Sequence, residues 1–315
     1  GLEVDSVAPV AASLHGMGVG EIIEVNAHAN ADKLVVCSVD GGNGVQQVVC
    51  GAPNARTGIK VPYATIGARL EEFKIKKAKL RGVESFGMLC SERELGLSDS
   101  HEGLMELPLD AVNGTDIIDY LALDDTCIEV DLTPNRGDCL GIKGIARETG
   151  LLNNLDLKIN QVASVENKID DVFPVKLACP ETCPRFVGRI IRNVDLLQPS
   201  PLWLKEKLRR SGIRSIDSVV DITNFVMLEL NQPMHAYDLD RLKGSITVRL
   251  SAAGEKLTLL DGSQIELFKG TTLITDESGP VGMGGIMGGE GTAVRAETRN
   301  IFLEAAFFTP LGVAG

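Results

Sequence analysis

A single carboxylate interrupts an apolar segment near the end of the chain. Glu304 is the only charged residue in the run 301–306. Because a carboxylate is rarely buried without a partner, Glu304 either forms an internal ion pair or accepts a hydrogen bond from a ligand. No second carboxylate is obviously paired with it, so general acid–base chemistry by a carboxylate dyad is not indicated.

A second polar group lies about seventy residues earlier. Thr223 and Asn224 interrupt the apolar stripe of a predicted helix, and His235 follows that helix. An unpaired buried polar group costs roughly 1–3 kcal/mol, so these residues need partners. They form either an internally satisfied cap and turn or a polar pocket shared by Thr223, Asn224 and His235.

The segment 74–81 concentrates positive charge in an otherwise acidic chain. It holds no anion, and its five cations are Lys74, Lys76, Lys77, Lys79 and Arg81. One interpretation is a solvated strand face. The other is a surface that follows a phosphate backbone, because the segment lies beside several short predicted strands typical of a small barrel.

The glycine-rich run 282–290 and the cysteines offer weaker signals. The run misses the dinucleotide-binding spacing by one place and no convincing helix follows it, so an oxidoreductase built on it is a poor hypothesis. No further histidine or cysteine cluster lies near Cys179 and Cys183 in the sequence, so we predict no metal site. The chain has seven cysteines, and this odd, scattered set predicts reduced thiols in the cytoplasm.

Length and composition predict a folded protein of two or three domains. The chain has 315 residues, a formal net charge of −12 and 44% hydrophobic residues. No apolar run is long enough to cross a membrane, and no signal peptide opens the chain. The charge argues against a general DNA coat, although local basic patches still allow RNA binding.

The elements that position these residues are short strands followed by a mixed region. Glycines at 41–44 predict a hairpin within the strand-rich region 18–70. A strand is predicted at 128–132 and a helix at 139–148. Further strands are predicted at 174–178, 185–191, 245–250, 256–260, 271–275 and 301–306. Helices are predicted over Pro201–Arg210 and from Asp217 to Leu230, and without strict alternation the class is α+β.

Seven motifs in this order resemble the beta subunits of bacterial phenylalanyl-tRNA synthetases. Ala29 stands where the first motif usually has proline. The motifs that carry the resemblance lie at 28–34, 49–54, 79–90, 133–141, 212–217, 232–236 and 283–290.

The resemblance implies a multidomain α+β architecture. Residues 10–125 resemble an OB-fold β-barrel that binds tRNA. This module is inserted in a small α/β domain of residues 1–9 plus 126–165. Residues 166–315 resemble a mixed α+β editing domain of the B3/B4 type.

The resemblance also implies a function, which is hydrolysis of tyrosine wrongly attached to tRNA(Phe). Carried over by motif, the catalytic residues are His235, Asn224 and Thr223. The substrate-binding residues implied in the same way are Glu304, Gly285, Gly288 and Arg214. The implied tRNA-binding residues are Lys74, Lys76, Lys77, Lys79, Arg81 and Ser85.

Tyrosine exceeds phenylalanine by one hydroxyl, and a polar group aimed at that hydroxyl discriminates strongly between them. The implied partners are tRNA(Phe) and the alpha subunit, in an α2β2 assembly in the cytoplasm. ATP and Mg²⁺ are expected for the holoenzyme, with no cofactor in this chain.

The family continues beyond the point where this chain stops, with a piece that completes the editing pocket. We therefore expect impaired hydrolysis by the chain alone and no aminoacylation. The alternative hypothesis is a non-catalytic RNA-binding scaffold.

Overall fold

The architecture is that of a computed structural model, which describes residues 1–70, 73–98, 102–158 and 162–314. Contacts divide the chain into two compact units, residues 2–131 and residues 132–315 with residue 1. The predicted small domain of residues 1–9 plus 126–165 stays a prediction, and its residues 159–161 lie outside the described chain.

The first unit is built almost entirely from β-strands. Its elements are β1 Leu2–Pro9, β2 Leu14–Ala27, β3 Val35–Asp40, β4 Val45–Cys50, β5 Lys60–Leu70, β6 Phe73–Lys74, β7 Ala78–Leu80, β8 Val83–Ser85, β9 Gly87–Leu89, α1 Ile117–Leu121 and β10 Thr126–Leu132. The main sheet has the order β4-β3-β2-β5-β6, with β9 also paired to β5, and β1 pairs with β10. The predicted hairpin at 41–44 is confirmed, because Asp40 pairs with Val45.

The main sheet of this unit curls strongly. The long strand β2 carries register shifts on both sides, one against β3 and one against β5, and such bulges bend a strand. The curl brings β4 to the segment after β8, where the Phe86 N–H donates to the Gln47 carbonyl at 2.8 Å. The concave interior is filled by alternate side chains of the strands, including Ile22, Val39 and Val61.

The second unit contains the remaining helices and strands. Its elements are α2 Ile142–Asn153, β11 Val175–Leu177, β12 Arg185–Arg192, α3 Leu202–Arg210, α4 Ser218–Leu230, β13 His235–Asp238, β14 Ile246–Leu250, β15 Lys256–Thr258, β16 Gln264–Glu266, β17 Thr272–Asp276, β18 Gly279–Met283, β19 Met287–Gly288, β20 Asn300–Phe307 and α5 Pro310–Val313. The predicted α+β class is confirmed, and each predicted strand and helix of this region has its counterpart.

Two sheets and one helix create the layers of the second unit. A three-stranded sheet has the order β12-β20-β13, and a five-stranded sheet has the order β11-β14-β17-β18-β19. Phe302 and Tyr237 project from the three-stranded sheet into a core shared with Ile274 of β17. On the opposite face, Ala236 and Ile301 pack with Val219 of α4. The three-stranded sheet therefore lies between α4 and the five-stranded sheet.

Candidate functional site

His235 and Glu304 occupy directly opposed positions on the antiparallel strands β13 and β20. Side chains at opposed positions project from the same face of a sheet, with Cβ atoms roughly 5 Å apart. Both residues line a pocket of about 490 Å³ between the three-stranded sheet and the glycine-rich segment of β18 and β19. The structure therefore brings together the two side chains that the sequence singled out.

Glu304 is held inside the protein by a tyrosine. The Tyr237 hydroxyl donates to Glu304 Oε2 at 2.6 Å, and Glu304 is only 5% exposed. Among the described residues, no group donates a hydrogen bond to Oε1. Burial raises the pKa of Glu304 to about 7, although the hydrogen bond from Tyr237 acts in the opposite direction. One carboxylate oxygen remains available to a molecule in the pocket.

His235 is a partly buried imidazole that is neutral at physiological pH. Its Nε2 is inaccessible to solvent and has no hydrogen-bond partner among the described residues. Burial lowers the pKa of His235 to about 4. The imidazole packs edge-on against Tyr237, with ring centroids 4.5 Å apart. An uncharged imidazole can donate or accept one hydrogen bond at each nitrogen, depending on the tautomer.

The glycine-rich segment forms a tight hairpin that makes one wall of the pocket. β18 and β19 pair through Gly282 with Gly288 and through Met283 with Met287. Gly285, in the turn, has φ +73°, a left-handed conformation that favours glycine. A Cβ added at Gly288 would lie 2.6 Å from Nε2 of His235. Glycine at 288 therefore lets this backbone approach the imidazole.

Three further residues were assigned to this pocket from sequence, and their assignment stays a prediction. Thr223, Asn224 and Arg214 are not among the described residues that line this pocket. The reason is strand alternation, because α4 packs on the face of Ala236 and Ile301, whereas His235 projects from the other face. The Thr223 hydroxyl also donates to the Val220 carbonyl at 2.8 Å within its own helix.

The basic segment 74–81 runs from β6 into a short hairpin, with Lys74 on β6 and Lys79 and Arg81 on the hairpin. β7 and β8 pair around a turn in which Arg81 has φ +47° and Gly82 has φ +97°. The exposed cations Lys74, Lys76, Lys79 and Arg81 have no ion-pair partner among the described residues. Lys77 differs, since it forms an ion pair with Glu84 at 2.8 Å and lies 4.8 Å from the centre of the Phe86 ring.

Ser85 requires a correction as a predicted RNA contact. It is 2% exposed, its hydroxyl accepts a hydrogen bond from the Val49 N–H and donates to the Gly87 carbonyl, each at 3.0 Å. A saturated, buried hydroxyl has no free group for a partner molecule. Ser85 instead fastens β8 to β4 and helps to close the curled sheet.

Family models match two stretches of the chain. Residues 17–116 match a model described as "Putative tRNA binding domain", and residues 182–315 match the "B3/4 domain". The phenylalanine–tRNA ligase beta subunit of Pectobacterium atrosepticum is 55% identical over 317 residues, and that of Hahella chejuensis is 56% identical over 316 residues. Both alignments cover 100% of this chain.

The chain belongs to the phenylalanine–tRNA ligase beta subunit family. It spans 40% of the length of these relatives. A solved N-terminal fragment of the phenylalanyl-tRNA synthetase beta subunit from Pyrococcus horikoshii is a distant match, at 17% identity and a TM-score of 0.36. That match covers 59% of this chain and 57% of the other.

Two structural contacts in this family member were missed from sequence. Tyr237 directly follows the motif 232–236 and had no assigned role, although a tyrosine two places from His235 on a strand shares its face. His28 was similarly unassigned. Its Nε2 lies 3.0 Å from the Leu80 carbonyl and its Nδ1 accepts from the Asn30 N–H at 3.1 Å. The spacing of His28 and Asn30 gave no signal that they would hold the distant basic hairpin.

Other chemistries find little support in the described part of the chain. No group of three or more His, Cys, Asp or Glu side chains there could hold a metal ion. All seven cysteines are free thiols, and burial raises the pKa of several, including Cys183 to about 11. Within the described residues no helix is long and apolar enough to cross a membrane.

Proposed function

We propose that the second unit hydrolyses the ester of tyrosine wrongly attached to tRNA(Phe). The observation that carries this proposal is the shared pocket of His235 and Glu304, in which a buried carboxylate keeps one oxygen without a donor. A phenol hydroxyl is the donor that such an oxygen lacks. A phenylalanine side chain would leave it unpaired, and this penalty supports a strong discrimination between the two amino acids.

The remaining pocket surface suits an aromatic amino acid. Met283, Met287 and Phe308 supply apolar walls, while Gly285 and Gly288 let the backbone come close to the ligand. In the proposed pose the tyrosine ring lies among these groups and its hydroxyl donates to Glu304 Oε1. Specificity then arises from one hydrogen bond formed in a site that excludes water.

Hydrolysis in this proposal proceeds by orientation of a water molecule. The water oxygen bonds to the ester carbonyl carbon, the bond to the ribose oxygen breaks, and that oxygen receives a proton. In this proposal His235 holds either the ester group or the attacking water, because its neutral imidazole can donate or accept a hydrogen bond. Holding the reactants in place can supply much of the acceleration without a strong protein base.

The first unit is proposed to be an OB-type module that binds tRNA. The curled sheet and the exposed cations Lys76, Lys79 and Arg81 support this assignment, because such grooves follow phosphates with basic side chains. Lys74 is included on the same grounds. Lys77 is expected to contribute less to phosphate binding, since its ion pair with Glu84 already neutralises part of its charge.

The wider setting also belongs to the proposal. The partners are tRNA(Phe) and the alpha subunit of an α2β2 ligase in the cytoplasm. ATP and Mg²⁺ serve aminoacylation by the whole ligase, and no step proposed for this chain passes through them. The part of the family that continues beyond this chain is expected to complete the pocket, so the chain alone should hydrolyse Tyr-tRNA slowly.

The decisive experiment compares ester hydrolysis in the assembled ligase. Glu304→Ala should abolish the preference for Tyr-tRNA(Phe) over Phe-tRNA(Phe), while aminoacylation of tRNA(Phe) continues and reports correct folding. Retained preference would refute the role of Glu304. A non-catalytic RNA-binding scaffold is the second candidate, and it predicts no hydrolysis of either ester by the wild type.

A further inference from the structure

Tyr237 is the one side chain that holds the carboxylate of the proposed editing pocket. Its hydroxyl is 2.6 Å from Glu304 Oε2, and it is only 1% exposed. Glu304 accepts no other hydrogen bond from the described residues. The orientation of the carboxylate plane therefore depends on a single donor.

Tyr237 itself has almost no freedom to move. Its ring lies edge-on to His235 at 4.5 Å and tilted against Phe302 at 6.3 Å between centroids. A Cβ added at Gly282 would lie 3.7 Å from the Tyr237 hydroxyl oxygen, so β18 packs closely over it. A ring fixed on several sides presents its O–H in one direction.

We propose that Tyr237 is a positioning residue that determines specificity, fixing Glu304 so that Oε1 faces the substrate as a hydrogen-bond acceptor. This inference rests on the proposed function and deepens it. Without the phenol, the carboxyl would rotate and would more readily take up a proton. A protonated carboxyl accepts a phenol hydrogen bond more weakly than a carboxylate does.

The surroundings of Glu304 make the effect measurable as a pH dependence. The titratable groups that face it are His235, Tyr237 and the Cys183 thiol, whose pKa its charge helps to raise. On β12 the position paired with Glu304 is Gly188, while Gly282 of β18 lies against Tyr237 and Gly288 of β19 against His235. No described cation offsets the buried charge, so the Tyr237 hydrogen bond is the group that favours the ionised form.

The test measures the ratio of Tyr-tRNA(Phe) to Phe-tRNA(Phe) hydrolysis from pH 5.5 to pH 9 in the assembled ligase. For the wild type we expect this ratio to rise with pH around a midpoint near 7. For Tyr237→Phe the midpoint should move upward by about one pH unit, the effect typical of losing a hydrogen bond to a charged form. Tyr63→Phe is the matched control, because Tyr63 is also buried and donates to a carbonyl at 2.8 Å. Its midpoint should coincide with that of the wild type.

Failure of the inference and failure of the proposed function give different results. If Glu304→Gln loses the preference but Tyr237→Phe reproduces the wild-type profile, Tyr237 has no positioning role and the proposed function stands. If Glu304→Gln keeps the preference, the proposed function fails. In that case an infrared titration of the protonated carboxyl band, assigned by its absence in Glu304→Gln, still decides. An unshifted band midpoint in Tyr237→Phe overturns the inference that Tyr237 fixes the ionised carboxylate, and an upward shift supports that part of it.

Discussion

His235 and Glu304 lie directly opposite each other on neighbouring antiparallel strands, although they are far apart in the sequence. Burial favours the uncharged form of both side chains. It lowers the pKa of His235 to about 4 and raises that of Glu304 to about 7. Near neutral pH the pocket therefore offers an uncharged imidazole beside a carboxyl group that is close to its midpoint. Both groups can exchange hydrogen bonds with a ligand of little charge.

Replacing Gly288 with alanine should close the pocket against His235. The new methyl carbon would lie 2.6 Å from Nε2, so the imidazole or the β18–β19 hairpin must shift. We expect the free energy of unfolding to fall by about 1–3 kcal/mol. We also expect the assembled ligase to lose Tyr-tRNA hydrolysis, as measured by deacylation. Gly291→Ala is the control, because nothing lies within 4 Å of its added Cβ. Equal behaviour of the two variants would contradict this packing.

The partly buried imidazole should destabilise its strands in acid. The unfolded chain takes up a proton on His235 near pH 6.5, whereas the folded chain does so only near pH 4. Stability is thus lost as the pH falls from 6.5 to 4, by up to about 3 kcal/mol. The raised pKa of Glu304 changes stability in the opposite direction over a similar pH range, so the His235 contribution is measured as a difference. Hydrogen exchange of β13 and β20 amides should show that the wild type loses stability relative to His235→Asn as the pH falls. The exposed residue His15 is the control, and His15→Asn should keep the wild-type pH dependence.

Removing cations from the basic segment 74–81 should reduce the salt dependence of tRNA binding. Each phosphate contact contributes about 0.7–0.9 to the slope of log K against log salt. Replacing Lys76 and Lys79 with alanine should therefore lower the slope by nearly 2 units, as measured by tRNA binding at several salt concentrations. Lys256→Ala removes an exposed cation from the other unit and should leave the slope unchanged. An unaltered slope in the double variant would remove this surface from the RNA interface.

His28 should act on RNA binding through the shape of the hairpin. It connects the Leu80 carbonyl with the Asn30 N–H, and the Asn30 side chain donates to the Arg81 carbonyl at 3.2 Å. His28→Ala removes the two hydrogen bonds of the imidazole and leaves that of the Asn30 side chain. It should weaken tRNA binding by about 1–3 kcal/mol with an unchanged salt slope, because no phosphate contact is lost. Faster hydrogen exchange in β7 and β8 should accompany the loss. Wild-type exchange and affinity would show that the hairpin holds its shape without His28.

Much of the fold was predictable, because local patterns decide it. The glycine turn at 41–44 and the periodic apolar positions of α4 specify their elements within a few residues. The helix predicted from Asp217 begins there because the Asp217 side chain accepts hydrogen bonds from the Val219 and Val220 N–H groups. The strands β13, β16, β18 and β19 escaped prediction because each has at most five residues, too few to show a clear alternation.

The site was only partly predictable, because strand pairing is not local. The apolar surroundings of Glu304 predicted that it would be buried, but not that Tyr237 would donate to it. Thr223 and Asn224 were assigned to the pocket because they interrupt the apolar stripe of their helix and match the family motif, and this assignment stays a prediction. Alternation along β13 sends Ala236 toward α4 and His235 away from it, and a motif cannot reveal that separation.

The central claim is that Glu304 recognises the hydroxyl of a tyrosine ester, and a structure of the full-length ligase with a bound analogue tests it most directly. The ligand is a non-hydrolysable amide of tyrosine with 3′-amino-adenosine. The account predicts that the phenol oxygen lies within hydrogen-bond distance of Glu304 Oε1, while Oε2 keeps its bond to Tyr237. A tyrosine ring bound with its hydroxyl pointing away from Glu304, or bound outside the pocket of His235, would contradict it.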